Sequence, residues 1–165
     1  MTKPASVDLK IKARVFNKTY RKHMNAEQRY QIYFGGSSSG KSYFLAQRAV
    51  LDVMKGRNYL ICRQTAKTIR KSVFNEVTKA INFFKVGRFF TVNKTEMVIT
   101  CQFNKKQILF SGLDDTEKIK SITPIDGVIT DCWIEESTEA EYRAFKQLDK
   151  RLRGQSKHIK RITLS

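Results

Sequence analysis

The segment from Tyr30 to Ser42, Y-Q-I-Y-F-G-G-S-S-S-G-K-S, restricts what this chain can become more than any other stretch. A short apolar strand through Ile32, Tyr33 and Phe34 breaks at Gly35-Gly36. Ser37, Ser38 and Ser39 follow, then Gly40-Lys41-Ser42. This is the spacing G-x-x-x-x-G-K-[ST] of a phosphate-binding loop. Its setting is the required one, with a strand before it and a helix after it. That helix starts near Lys41 and carries Phe44, Leu45, Ala49, Val50 and Val53. Glycines let the backbone take positive φ and approach an anion closely. Loop N–H groups and the helix N-terminus supply partial positive charge. Gly35 to Ser42 would cradle the phosphates. Lys41 would reach the β- and γ-phosphates, and Ser42 would ligate Mg2+.

Bulk composition narrows the partners. The chain has 165 residues, enough for one domain, and 41% are apolar, enough for a sizeable core. Lys and Arg number 32 against 15 Asp and Glu, a formal charge of +17. Such an excess calls for a polyanion; nucleic acid fits first and an anionic membrane surface second. No run is long enough to span a bilayer, and M-T-K-P-A-S-V-D-L-K lacks the apolar core of a signal peptide, so a cytosolic protein without a membrane is expected. Cys62, Cys101 and Cys132 lie far apart in apolar, strand-like stretches and read as reduced core residues. Only His23 and His158 are present, which argues against a histidine metal site or triad.

The first 28 residues form a basic arm. Lys3, Lys10, Lys12, Arg14, Lys18, Arg21 and Lys22 face Asp8 alone up to residue 25. It is either a solvated extension or a flap that places Phe16 or Tyr20 near an adenine. Beyond Gly56, Asn58–Arg63 reads as a buried parallel strand. Ile69, Val73, Val77, Ala80, Ile81 and Phe84 then predict one long amphipathic helix. Lys67, Arg70, Lys71 and Lys79 line its other face, solvated or against nucleic acid. Phe89–Val92, Met97–Cys101 and Gln107–Phe110, separated by Asn93-Lys94 and Asn104-Lys105, predict antiparallel additions to a parallel sheet. Gly127–Ile134 reads as another strand. A helix from about Thr138 to Leu152 turns Tyr142, Phe145 and Leu148 inward, and Ile159–Ser165 begins a last strand.

A phosphate loop needs an acidic partner at the end of another parallel strand, and Glu135-Glu136 supplies one. Glu135 would sit on the Mg2+ side, and Glu136 would orient and polarise the attacking water. Two other readings stay open: Asp131, expected mid-strand, as the metal partner, and a glutamate pair that merely starts the next helix.

The order of these motifs is similar to that in the ATPase part of the large terminase subunits of tailed phages. The resemblance runs from about Arg29 to Ser165. It rests on G-G-S-S-S-G-K-S, on Tyr59–Arg63, on Gly112-Leu113-Asp114-Asp115 with Lys118-Ile119-Lys120-Ser121, and on Trp133-Ile134-Glu135-Glu136. It implies an α/β fold, a three-layer P-loop NTPase sandwich of the additional-strand, glutamate type. The sheet would be mainly parallel with antiparallel strands at one edge. Residues 1–28 would be the arm and 29–165 the ATPase domain, with the family's nuclease domain absent. It further implies Mg2+-dependent ATP hydrolysis driving double-stranded DNA into a procapsid in the cytoplasm of an infected bacterial host. A portal protein and a small terminase subunit would be partners. The assembled form would be a homo-oligomeric ring, with a monomer in isolation. Thr163 and Ser165 resemble the start of the family's coupling motif.

One departure stands out. Many relatives carry an arginine within the phosphate loop, where this chain has serines. The stabilising cation must come from elsewhere, with Lys118, Lys120, Arg151 and Arg153 as candidates, in the same chain or from a neighbour. A helicase-like P-loop motor and a nucleotide-gated DNA-binding module without turnover remain alternatives.

Overall fold

The computed structural model describes residues 9–165. The start of the basic arm, including Lys3 and Asp8, lies outside the described residues. Seven strands form one sheet in the order β1-β7-β6-β2-β5-β4-β3. These are β1 (Tyr30–Ile32), β2 (Tyr59–Arg63), β3 (Phe90–Asn93), β4 (Val98–Cys101), β5 (Gln107–Gly112), β6 (Asp131–Ile134) and β7 (Arg161–Leu164). The first five in spatial order run parallel, and β4 and β3 add antiparallel at one edge, as the hairpin turns predict.

Side-chain alternation across the central strands builds two cores. Tyr59, Ile61, Ile108, Phe110 and Trp133 face one side. There they pack against α1 (Lys41–Met54) and α3 (Val73–Phe83). Leu60, Cys62, Leu109, Cys132 and Ile134 face the other side, covered by α4 (Thr116–Ser121) and α5 (Tyr142–Arg151). The result is the expected three-layer α/β sandwich with a period of two along each strand. Cys62, Cys101 and Cys132 are buried and reduced.

The helix after the loop begins at Lys41, directly behind Gly40, whose φ of 82° turns the chain into the first turn. It ends at Met54, and Gly56, φ 101°, lies just past the cap residue Lys55. The Gly56 N–H donates to the Val53 carbonyl and the Arg57 N–H to the Asp52 carbonyl, both at 3.0 Å, a Schellman closure.

Several elements differ from the sequence reading. The long helix over residues 69–84 is broken into α2 (Ala66–Ile69) and α3. The Ser72 hydroxyl donates back to the Thr68 carbonyl at 2.8 Å, and Ser72 leaves helical geometry with ψ −105°. A hydroxyl competing for backbone carbonyls ends the first segment there. The helix expected from Thr138 starts at Tyr142, after a 3-10 turn at Ser137–Glu139. Tyr142 faces solvent, not the core, because the buried positions are Ala144, Leu148 and Leu152, four apart. The first strand runs Tyr30–Ile32, not Ile32–Phe34. Gln31 within it and Tyr33 just after it are buried, and Phe34 is exposed. Gln31 can be buried because the Arg48 guanidinium donates to its Oε1 at 2.6 Å. Residues 127–130 are not strand; Asn58 holds them through bonds to the carbonyls of Asp126 and Val128. Asp131 is therefore the first residue of β6, not a mid-strand residue.

Candidate functional site

Parallel strands place all their C-terminal ends on one side, and here that side holds the chemistry. Gly35–Gly40 leaves β1 and enters α1, while Glu135 and Glu136 leave β6. The loop is steadied by the arm: Asn17 Nδ2 donates to the Ser39 carbonyl and the Tyr20 hydroxyl to Ser39 Oγ, both at 3.3 Å. Tyr20 is itself buried against Tyr33 and Phe44, so it belongs to the core beneath the loop. Phe16 packs on Phe84 instead. At Gly40 a side chain is excluded twice, by positive φ and by Asn17 Nδ2, which a Cβ would meet at 2.9 Å.

Lys41 folds its ammonium over its own loop. It donates to the Gly35 carbonyl at 2.6 Å, the Gly36 carbonyl at 3.2 Å and Ser39 Oγ at 3.4 Å. Its charge is thus held at the centre of the cradle. The Ser42 hydroxyl lies close enough to the Glu135 carboxyl to favour its charged form, so the loop and the first acid sit side by side. Glu135 is 7% exposed, and its Oε2 is buried with no hydrogen-bond partner among the described residues. Burial pushes the Glu135 carboxyl above the usual range, with Ser42, Arg63 and Lys41 partly opposing it. A buried carboxylate oxygen without a partner beside a serine hydroxyl is a donor set that a divalent cation would complete.

Glu136 takes the left-handed conformation, φ 52° and ψ 50°, rare for a residue with a side chain. Its carboxylate pairs with the Arg63 guanidinium, from the C-terminal end of the adjacent strand β2. Arg63 is a site residue absent from the cations that the sequence suggests. The available signal is its position: it closes a strand that neighbours the one ending in the glutamates.

The four candidate cations are placed otherwise. Lys120 pairs with Glu117, and the Arg151 guanidinium donates to the Ile122 carbonyl. Lys118 and Arg153 are exposed. Among the described residues none of the four bonds to the phosphate loop or to either glutamate. Asp131 sits at the opposite end of β6, paired with Arg57 and Arg161, and is out of reach of the loop. Thr163 is buried within β7. Ser165 follows β7, and its Oγ accepts from Trp133 Nε1 at 2.9 Å. Its carbonyl accepts from the Ser137 N–H at 2.8 Å, one residue past Glu136. Among the described residues no group of three His, Cys, Asp or Glu forms a metal cluster, and no helix is long and apolar enough to cross a membrane.

A family model described as phage terminase large subunit matches residues 27–165. The chain belongs to the phage terminase large subunit family. The terminase chain is 36% identical over 131 residues to the PBSX phage terminase large subunit of Bacillus subtilis (strain 168). That alignment covers 78% of this chain and 29% of the relative. It is 31% identical over 125 residues to the terminase large subunit of Bacillus phage SPP1, covering 75% of this chain and 30% of that protein. This terminase chain therefore spans under a third of the length of these curated relatives. Its fold matches the large terminase of a thermophilic bacteriophage, solved in complex with ADP, with a TM-score of 0.63 and 15% identity. That match covers 89% of this chain and 36% of the other.

Proposed function

We propose that this terminase chain hydrolyses ATP and forms the motor domain, residues 29–165, of a machine that moves double-stranded viral DNA into a procapsid. The observation that carries the reading is the closeness of Ser42 to Glu135, whose buried Oε2 has no hydrogen-bond partner among the described residues; it brings the phosphate loop beside the acids at the end of β6. The thermophilic-phage protein is a large terminase solved with ADP, and nucleotide binding is carried here to the matching loop.

The residues divide the work. Gly35–Ser42 would enclose the phosphates with backbone N–H groups, and Lys41 would exchange its loop carbonyls for phosphate oxygens. Ser42 and Glu135 would hold Mg2+, which when bound neutralises charge on the β- and γ-oxygens. Glu136 would orient the water that attacks the γ-phosphorus and accept its proton as the bond to ADP breaks. Thr163, beside Trp133 in the sheet, and Ser165, bonded to the backbone just after Glu136, would carry the state of the site toward the DNA. The excess of 32 cations over 15 anions would grip phosphates without reading sequence. Portal protein, small terminase subunit and sister copies in a ring are the proposed partners.

Phosphate release by the purified chain, with and without DNA, tests the reading. Glu136→Gln should bind a fluorescent ATP analogue normally and lose turnover, whereas Lys41→Ala should lose binding. Undiminished turnover in Glu136→Gln would remove the assignment.

A further inference from the structure

We propose that the end of the sheet opposite the phosphate loop carries a second binding site, an anchor cleft for an acidic polypeptide segment bearing a large apolar side chain. The cleft has a volume of about 990 Å³ and opens between the arm, the β4–β5 hairpin and residues 155–158. It lies at the C-terminal end of α1, whose 14 residues separate it from the phosphate loop by about 21 Å. The site is therefore independent of the nucleotide reading.

Its chemistry has two parts. Phe16, Leu51, Met54 and Phe103 give an apolar floor. Lys55, Lys106 and Lys157 give a basic rim. Lys106 is engaged by Asp126, while Lys55 and Lys157 make no ion pair among the described residues. Most buried polar groups of the floor are already committed within the chain. The Asn58 amide donates to the carbonyls of Asp126 and Val128, and its Oδ1 accepts from the Gln107 N–H. Asn104 caps the carbonyls of Val53 and Met54 at the end of α1. Thr130 Oγ1 is bonded to the Asn58 backbone and to Asp131. His158 Nε2 is the exception, buried and without a partner among the described residues.

A small polar metabolite needs several convergent free donors and acceptors; here His158 Nε2 is the buried one without a partner among the described residues, and Asn25 and Gln155 lie exposed at the edge. Duplex DNA presents its phosphates on a convex surface, with its thymine methyls recessed in the major groove and its base faces stacked inside, so no protruding apolar group fills a concave floor. An apolar side chain in the floor with carboxylates against Lys55 and Lys157 uses both parts. A buried apolar anchor within a charged rim is the usual economy of a peptide interface.

The test uses the full chain with its methionine methyl groups labelled with carbon-13. The probe is a short fluorescent peptide of Glu and Asp around a central Leu-Phe pair. Met24 and Met54 line the cleft, and Met97 does not. Binding by anisotropy should shift the Met24 and Met54 methyl signals and leave Met97 in place. Lys55→Glu with Lys157→Glu should weaken binding at least about tenfold, as should Phe103→Ser, in protein with an unchanged circular dichroism spectrum. A peptide with Ser-Ser for Leu-Phe should not bind. Four results overturn the proposal: no binding below about 1 mM, equal binding of the Ser-Ser peptide, displacement by duplex DNA of the same charge, or a Met54 shift on deleting residues 2–8 alone. The last would make the chain's own start the occupant.

Discussion

The Arg63 guanidinium holds the Glu136 carboxylate across the adjacent C-terminal ends of β2 and β6. Arg63 is largely buried, its side chain 11% exposed, while that of Glu136 is 52% exposed. The pair therefore fixes the orientation of a half-exposed acid carried on a left-handed backbone. Arg63 makes no bond to the phosphate loop among the described residues, so its removal should spare nucleotide affinity. Arg63→Ala should lower kcat by about ten- to a hundredfold through loss of orientation, with KM nearly constant. Arg63→Lys should fall between, since it keeps charge but not the fork. A fall in affinity with kcat intact would show that Arg63 serves the phosphates instead.

Ser42 lies beside Glu135, and Glu135 Oε2 has no hydrogen-bond partner among the described residues. If the pair holds Mg2+, its effect should depend on the metal. Glu135→Ala should raise the Mg2+ concentration needed for tight binding of a fluorescent ATP analogue by about tenfold or more. In EDTA, wild type and variant should bind alike. Equal Mg2+ titrations in both proteins would assign Glu135 a purely structural place.

The phosphate loop and the acid pair are legible because each needs only local spacing and a strand end. Residues Gly35 to Ser42 carry their conformation in their own glycines, and the apolar run before Glu135 shows where β6 stops. What stays hidden depends on neighbours in space. Arg63 matters because β2 lies beside β6, a fact of sheet order that no window of sequence contains. The apolar body of Tyr142 suggests an inward place, yet helix phase is set by Ala144, Leu148 and Leu152. The break at Ser72 comes from one hydroxyl, which periodicity cannot weigh. Gln31 occupies an inward strand position because Arg48, on α1, is there to bond it.

Arg161 is the centre of a buried charge cluster at the far end of the sheet. Its guanidinium donates to Asp131, to Asp52 Oδ2 at 2.5 Å, to the Tyr59 hydroxyl at 2.9 Å and to the Ala26 carbonyl at 3.0 Å. Burial pulls its pKa down, but Tyr59, Asp131 and Asp52 together push it up. The cluster ties the starts of β2, β6 and β7 to the last turn of α1. Arg161→Met removes the partner shared by two buried carboxylates, leaving Asp131 to Arg57 and Asp52 to Arg48, and should cost about 3 kcal/mol in urea denaturation. Arg29→Ala, which removes a half-exposed pair with Asp149, should cost under about 1 kcal/mol. Similar losses in both variants would deny the cluster its special weight.

His158 gives stability a pH dependence. Burial lowers its pKa below the usual 6.5, and Arg57 and Lys157 lower it further. The unfolded chain then takes up the proton first as pH falls, so between 6.5 and the lower folded value the unfolded state binds more protons. Stability should therefore be retained above that range and decline as pH drops through it. All other ionisable groups are common to wild type and variant, so a difference between the two isolates His158. His158→Gln cannot take up that proton, and its Tm should fall less steeply than that of wild type below pH 6.5. Parallel Tm curves for the two proteins would mean that the imidazole is equally solvated in both states.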